Sequence, residues 1–360
     1  MVFLVNFIAV FIYYYLIRFS FRDKEVSDKV FLWVVTIHAI LFRIIACPLE
    51  VDDAERYIDA YINISDMSFK EAFLSLNYYT SWGQGYVLLN WLLSLFSDKA
   101  IWLYVIVGII SVGGVMSFYD KTSYVLLVSI SMYLLYPMMY YLGFGVLRQH
   151  LAVVFVLFAL YYCDNWKKSV LLTLIGVSVH SSALIFLPFL IWNVFFKNNI
   201  KSPSFYLYTL IIVIVAHIFI AVLISFLPRY VEVLEVSEKT NNIVPLVLMS
   251  SLVFLFYLYR IGDKIDNERD LNILGFSIYG VFISLLGFGI PGAGRLTLFN
   301  IYTLPVALTL FYNYLPEFKR VANLYYYVFI LFSFYLISLS VKTGEGAYAF
   351  SFLWEKFNVF

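Results

Sequence analysis

Charge is scarce in this chain. Asp, Glu, Lys and Arg supply 13% of its 360 residues and nearly cancel, leaving a formal net charge of +1. With the few basic residues spread over short loops and no basic face, a nucleic-acid partner is excluded. Cysteine is scarcer still: Cys47 and Cys163 are the two in the chain. The topology argued below sets them at opposite membrane faces, so packed thiols are expected and not a bridge. Histidines 38, 150 and 217 stand at no metal-ligand spacing from one another or from the cysteines, which argues against a zinc site. A basic leader followed by a small-residue cleavage site is missing as well, so the first apolar run, Val2 to Ile17, reads as a retained helix.

What the chain has in abundance is apolar surface. Hydrophobic residues make up 63% and the mean hydropathy is +0.87, against roughly 45–50% apolar and 25% charged residues in a soluble domain. The sequence therefore reads as an all-α, polytopic integral membrane protein. Apolar spans lie at 2–18, 30–47, 100–118, 123–141, 145–163, 205–227, 243–260, 271–289, 296–314 and 323–341, and roughly 18–22 residues suffice to cross the hydrocarbon. Residues 86–96 are too short to span and suit a re-entrant or interfacial helix. Residues 170–196 are interrupted by the polar "SVHSSA" at Ser178 to Ala183, the pattern of a helical hairpin broken at a turn. With these choices the basic clusters 18–29, 167–168, 197–201, 260–269 and 319–320 fall on one side, as the positive-inside rule requires, and about twelve crossings result. The expectation is one membrane domain over 1–360, with an outer-face loop at 48–85 carrying a short amphipathic helix and a C-terminal tail at 342–360.

This topology collects the conspicuous polar residues on the outer side. Arg148 opens an otherwise apolar helix in "GVLRQHLA". Near an interface it is able to snorkel at modest cost, and its planar fork equally suits a phosphate or diphosphate. Gln149 follows it. His180, at the proposed break, either satisfies backbone groups freed there or serves as a proton carrier or phosphate contact. "GFGIPGAGR", Gly287 to Arg295, contains a literal G-x-G-x-x-G but follows an apolar run and not a strand, so it is no dinucleotide motif. It delivers Arg295 to the start of the next span. In "VDDAERYIDAY" a spacing of four aligns Asp53 with Tyr57 and Asp52 with Arg56. Asp52, Asp53 and Glu55 are either a solvated acidic face or acceptors of a sugar hydroxyl proton, with Tyr57 stacking on a sugar ring.

The order of these elements resembles the EpsG-like family, which is similar to the Wzy-type polymerases. The resemblance rests on D-x-x-x-Y at Asp53 to Tyr57, "GYVLL" at Gly85, L-R-Q-x-L-A at Leu147 to Ala152, the Lys167-Lys168 loop, H-S-S-A-L at His180 to Leu184, and R-L-x-L-F at Arg295 to Phe299. It implies a metal-independent glycosyltransferase without cofactors, multi-pass in the bacterial cytoplasmic (inner) membrane. Such an enzyme joins undecaprenyl-diphosphate-linked oligosaccharides on the periplasmic face, for O-antigen, capsule or exopolysaccharide. The lipid bilayer and a polysaccharide chain-length regulator are the further partners implied. On that reading Arg148, Arg295 and His180 meet the diphosphate, and Asp53 is the candidate base. A lipid-linked oligosaccharide flippase and a membrane acyltransferase are the rival classes.

Overall fold

The computed structural model describes residues 2–48, 52–74, 82–137, 139–141, 143, 145–196, 202–226, 250–256, 260–286, 296–343 and 350–352. Their regular structure is helical, apart from a two-stranded antiparallel ribbon that the sequence did not announce. In it β1 (Ala46–Pro48) pairs with β2 (Phe350–Phe352) in the register Cys47 to Ser351.

The described chain forms two compact units: residues 1–156, 172–183 and 323–360 make the first, and 157–171 with 184–322 the second. In the first, α1 (Val2–Ser20) packs on α2 (Lys24–Ile45), and α2 packs on α6 (Ile101–Thr122). Asp23 starts α2 by accepting hydrogen bonds from the Glu25 and Val26 amides at 2.8 and 3.2 Å. A spacing of four then sets Phe31, Val35, Ala39 and Arg43 on the buried ridge of α2. Trp33, Ile37, Leu41 and Ile45 form an exposed row on the same helix. A polar chain ties α1 to α2: His38 Nε2 lies 2.7 Å from Asn6 Oδ1, and Tyr13 Oη 3.2 Å from His38 Nδ1.

Three shorter helices build one wall of the first unit: α3 (Asp52–Ser65), α4 (Phe69–Leu74) and α5 (Gln84–Ser94). Helix α4 opens with a reciprocal cap, in which the Ser68 amide donates to Glu71 Oε2 at 2.8 Å and the Glu71 amide to Ser68 Oγ at 3.3 Å. The Ser68 hydroxyl, donating to Glu71 Oε2 at 2.7 Å, and the Ser68 amide hold the Glu71 carboxyl below its ordinary pKa. Tyr61 donates to the Ser97 carbonyl at 2.6 Å and Trp91 Nε1 to the Met67 carbonyl at 3.2 Å, clamping α3 and α4 onto α5. At 11 residues α5 is as short as the sequence requires of the 86–96 segment.

Two expected spans are corrected. The 123–141 span is α7 (Leu126–Leu135), only 10 residues long, because Pro137 disfavours helical backbone before it and Tyr136 is extended at ψ 119°. The 170–196 segment breaks where expected: α9 (Trp166–Val179) ends at His180, a 3₁₀ turn covers Ser181–Ile185, and α10 (Phe186–Phe196) follows. Between α7 and α9 lies α8 (Leu147–Tyr161). In the second unit, α11 (Pro203–Phe226), α12 (Ile261–Lys264) and α13 (Glu268–Leu286) precede the other correction. The 296–314 span is two helices, α14 (Leu298–Ile301) and α15 (Leu304–Tyr314), with Pro305 in the first turn of the latter. Asn300 Nδ2 donates to the Phe276 carbonyl at 2.8 Å and Thr303 Oγ1 to the Asn300 carbonyl at 2.7 Å, satisfying backbone at the break. Helix α16 (Lys319–Thr343) carries the chain back to the first unit.

Beside a largely apolar interior, polar residues are buried and large apolar ones exposed. Ser111, Ser129, Ser131, Thr173 and Ser333 are buried, while Leu207, Ile211, Ile214 and Ile218 on α11 and Leu324, Val328 and Leu331 on α16 are exposed. Contiguous exposed apolar faces of this kind belong against hydrocarbon. Among the described residues one helix, Ile101–Thr122, is both long and apolar enough by itself to cross a membrane.

Close packing between α6 and α8 gives a prediction. A Cβ on Gly114 falls 3.0 Å from Val154 Cγ2 and closer still to Cγ1. Gly114→Ala is expected to destabilise the protein, because overpacking costs about 1–3 kcal/mol and exceeds the gain of up to about 1 kcal/mol in helix propensity. Thermal melting of the detergent-purified protein checks this, with Gly114→Ala/Val154→Ala expected to melt above the single variant.

Candidate functional site

The site lies in the first unit, where α3, the start of α5, the start of α8 and the break after α9 converge on a cavity of about 430 Å³. Trp82, Gly83, Gln84, Arg148, Val177, Ser178, His180 and Ser181 line it. That volume is at the small end of ligand sites, enough for a charged headgroup and its neighbour but not for a long chain.

Arg148 is half-buried in a box of aromatic faces. Its guanidinium carbon stands 4.6 Å from the Trp82 ring centre and 5.9 Å from those of Tyr57 and Tyr86. Tyr57 meets both of the other rings edge-on, at 5.7 and 5.9 Å, so the box is itself fixed by packing. Nη1 donates to the Trp82 carbonyl at 2.7 Å, and the buried Nε has no partner among the described residues. No described carboxylate pairs with Arg148. Aromatic faces contribute about 0.5–2 kcal/mol of attraction to a cation but carry no net charge. The positive charge is thus oriented and left for an anion to neutralise.

His180 sits where α9 ends. Its Nδ1 accepts from the Ser182 amide at 3.2 Å and lies 2.5 Å from Ser182 Oγ. Because a backbone amide only donates, Nδ1 is the acceptor, and the hydrogen of a neutral ring resides on Nε2. The N-terminus of α5 has no side-chain cap and borders the cavity through Gly83 and Gln84, which adds partial positive charge on the same side.

Two glycines permit the convergence. Gly83 has φ 99°, and a Cβ there would stand 2.6 Å from the Ser178 carbonyl oxygen and 2.8 Å from that of Val179. Both the backbone conformation and the clash exclude a side chain. Gly85 lies directly against the Ser178 side chain.

The structure therefore unites three of the sequence-derived candidates. Arg148 and His180 face one cavity, and Tyr57 backs Arg148. Gln149, 1% exposed, is packed inside and does not line the cavity. Glu55 is exposed on α3. Asp52 and Asp53 occupy the first turn of that helix, and their carboxylates lie outside what the structure describes. Arg295 and the loop before it lie outside the described residues. Trp82, Tyr86 and Gly83 were not singled out from the sequence as site residues. The signal for them was "WGQG", an aromatic and two glycines immediately before a helix too short to span. Among the described residues, no three His, Cys, Asp or Glu side chains are grouped to hold a metal ion.

A substitution pair tests the glycine argument. Gly83→Ala is expected to cost about 1–3 kcal/mol from backbone strain alone, seen as a lowered melting temperature. Gly113→Ala, whose Cβ meets nothing within 4 Å, is expected to leave melting unchanged or raise it.

No curated protein and no solved structure matches the chain. A family model does, that of the EpsG family, over residues 31–352. The match takes in α2 with its exposed apolar row, the aromatic box, Arg148 and His180, and it covers most of the chain. This membrane-associated chain belongs to the EpsG family, a polysaccharide polymerase-like family.

Proposed function

We propose that the protein is a polysaccharide polymerase, a glycosyltransferase that joins undecaprenyl-diphosphate-linked oligosaccharides at the outer face of the bacterial cytoplasmic membrane. The observation that carries this reading is the Arg148 guanidinium, with no carboxylate partner among the described residues, held in an aromatic box at a cavity it shares with His180. Membership of the EpsG family supplies the reaction class.

In the reaction, a hydroxyl oxygen of the acceptor sugar bonds to the anomeric carbon of the donor chain. The bond from that carbon to the diphosphate oxygen breaks with its electron pair, and the hydroxyl proton passes to a base. The leaving diphosphate gains charge in the transition state, so donors aimed at it accelerate the step. Arg148 presents a planar fork that can donate to two phosphate oxygens at once. With Nδ1 engaged by Ser182, His180 directs an N–H donor from Nε2, which favours a phosphate contact over a base. The α5 N-terminus adds its dipole. Asp53 is the candidate base, on the helix that also carries Tyr57, and Arg295 is a second candidate fork.

The lipid-exposed faces of α2, α11 and α16 suit a chain that crosses the bilayer about twelve times, with broken helices at His180 and Thr303. In that arrangement the cavity opens away from the cytoplasm, where a lipid-linked oligosaccharide is found after flipping.

Surface-polysaccharide ladders from a deletion strain carrying each variant test the reading. Arg148→Ala is expected to lower chain extension by about 100-fold or more, the cost of removing one such donor. Arg148→Lys, which keeps the charge and loses the fork, is expected to recover little of it. A normal ladder from both variants, at normal protein level, overturns the proposal.

A further inference from the structure

The segment between α7 and α8 is a second place where an arginine is buried, here beside a histidine. After Pro137 the described residues 139–141, 143, 145 and 146 form no α-helix, yet Met139, Tyr140, Tyr141, Gly143 and Val146 are buried. Irregular backbone in an apolar interior needs partners for its carbonyl groups. Two side chains supply them. Arg43, 3% exposed at the end of α2, donates from Nη2 to the Gly143 carbonyl. His150, 2% exposed in the first turn of α8, places Nε2 2.9 Å from the Met139 carbonyl oxygen.

Gly143 is shaped for this contact. A Cβ there would stand 2.8 and 3.0 Å from the two terminal nitrogens of Arg43 and 3.0 Å from His150 Cδ2. A Cβ on Gly108 of α6 would meet the aliphatic stem of Arg43 at ordinary contact distance. Tyr140, within the segment, donates to the Ala39 carbonyl one turn below Arg43, at 2.6 Å. The turn before α8 is therefore tied to α2 at two points. Four residues separate Gly143 from Arg148, and α8 starts at Leu147.

We propose that Arg43 is a positioning residue for Arg148: it touches no substrate, is absent from the cavity lining, and fixes the backbone that sets where Arg148 enters the aromatic box. The inference rests on the reading of Arg148 as the diphosphate contact for its link to activity, but its structural half stands apart from that reading. Removing the guanidinium leaves a buried carbonyl without its donor, and the register of the first turn of α8 relaxes. Lysine at position 43 retains one donor of similar reach and restores part of the function.

A labelling experiment on the full-length protein in membranes separates the two. In a background of Cys47→Ser and Cys163→Ala, a reporter Arg148→Cys is treated with a small charged thiol reagent, with Ser181→Cys as a second reporter on the opposite wall of the cavity. Adding Arg43→Ala is expected to change the labelling rate at position 148 by at least about fivefold, equivalent to roughly 1 kcal/mol of local stability. The rate at position 181 is expected to stay constant. Gly143→Ala is expected to act like Arg43→Ala, and Arg43→Lys to return the rate part-way. In the chain with Arg148 intact, Arg43→Ala is expected to reduce chain extension and Arg43→Lys to rescue it in part. An unchanged rate at position 148, or equal changes at both reporters, overturns the proposal. A changed rate at 148 alone, together with full activity of Arg148→Ala, leaves the positioning intact and overturns the function proposed for Arg148.

Discussion

The rest of the site depends on a guanidinium that aromatic faces orient and that no carboxylate among the described residues neutralises. A carboxylate beside Arg148 would stabilise the charge and remove it from chemistry at once, since a paired arginine offers its fork to its partner. Aromatic faces and one carbonyl oxygen hold the group in place instead. They stabilise a cation weakly and leave the net charge standing. Tyr57, Trp82 and Tyr86 come from two helices and the turn between them, so the clamping of α3 onto α5 sets the direction of the fork.

The same constraint recurs wherever the helices break. In an apolar interior a broken helix leaves carbonyl and amide groups that water does not reach. Each break is met by a local polar device: Ser182 and His180 after α9, Asn300 and Thr303 before α15, Arg43 and His150 around the turn before α8. Two of these breaks adjoin the cavity residues Arg148 and His180. Satisfying the backbone and placing a functional side chain are, at these positions, one structural event. Glycine does the complementary work, since Gly83 and Gly143 admit backbone or guanidinium where a methyl group would collide.

Much of this was legible in the sequence, for identifiable reasons. Apolar run lengths gave the helical class and the short α5, and the polar interruption at "SVHSSA" gave the break at His180. Arg148 stood out because a charge in "GVLRQHLA" has a cost that demands an explanation. The run 123–141 looked continuous because hydropathy registers Pro137 as a minor dip, whereas its steric effect on Tyr136 ends the helix. The 296–314 run breaks at Tyr302 and Thr303, just ahead of Pro305, which occupies the first turn of α15. Trp82 and Tyr86 were hidden among 31 tyrosines and 7 tryptophans, where an aromatic signals an interface by default. Their meeting at Arg148 is a contact across more than 60 residues, beyond what periodicity reports. The β1–β2 ribbon is likewise non-local.

The central claim is that the Arg148 fork recognises a diphosphate. It is tested most directly by the affinity of the purified full-length protein for an isoprenyl diphosphate and the corresponding monophosphate, measured for the wild-type chain and for Arg148→Lys. The account predicts that the wild type prefers the diphosphate by about tenfold or more, roughly 1.4 kcal/mol, and that Arg148→Lys loses the preference. Equal diphosphate affinity in the two proteins would contradict it.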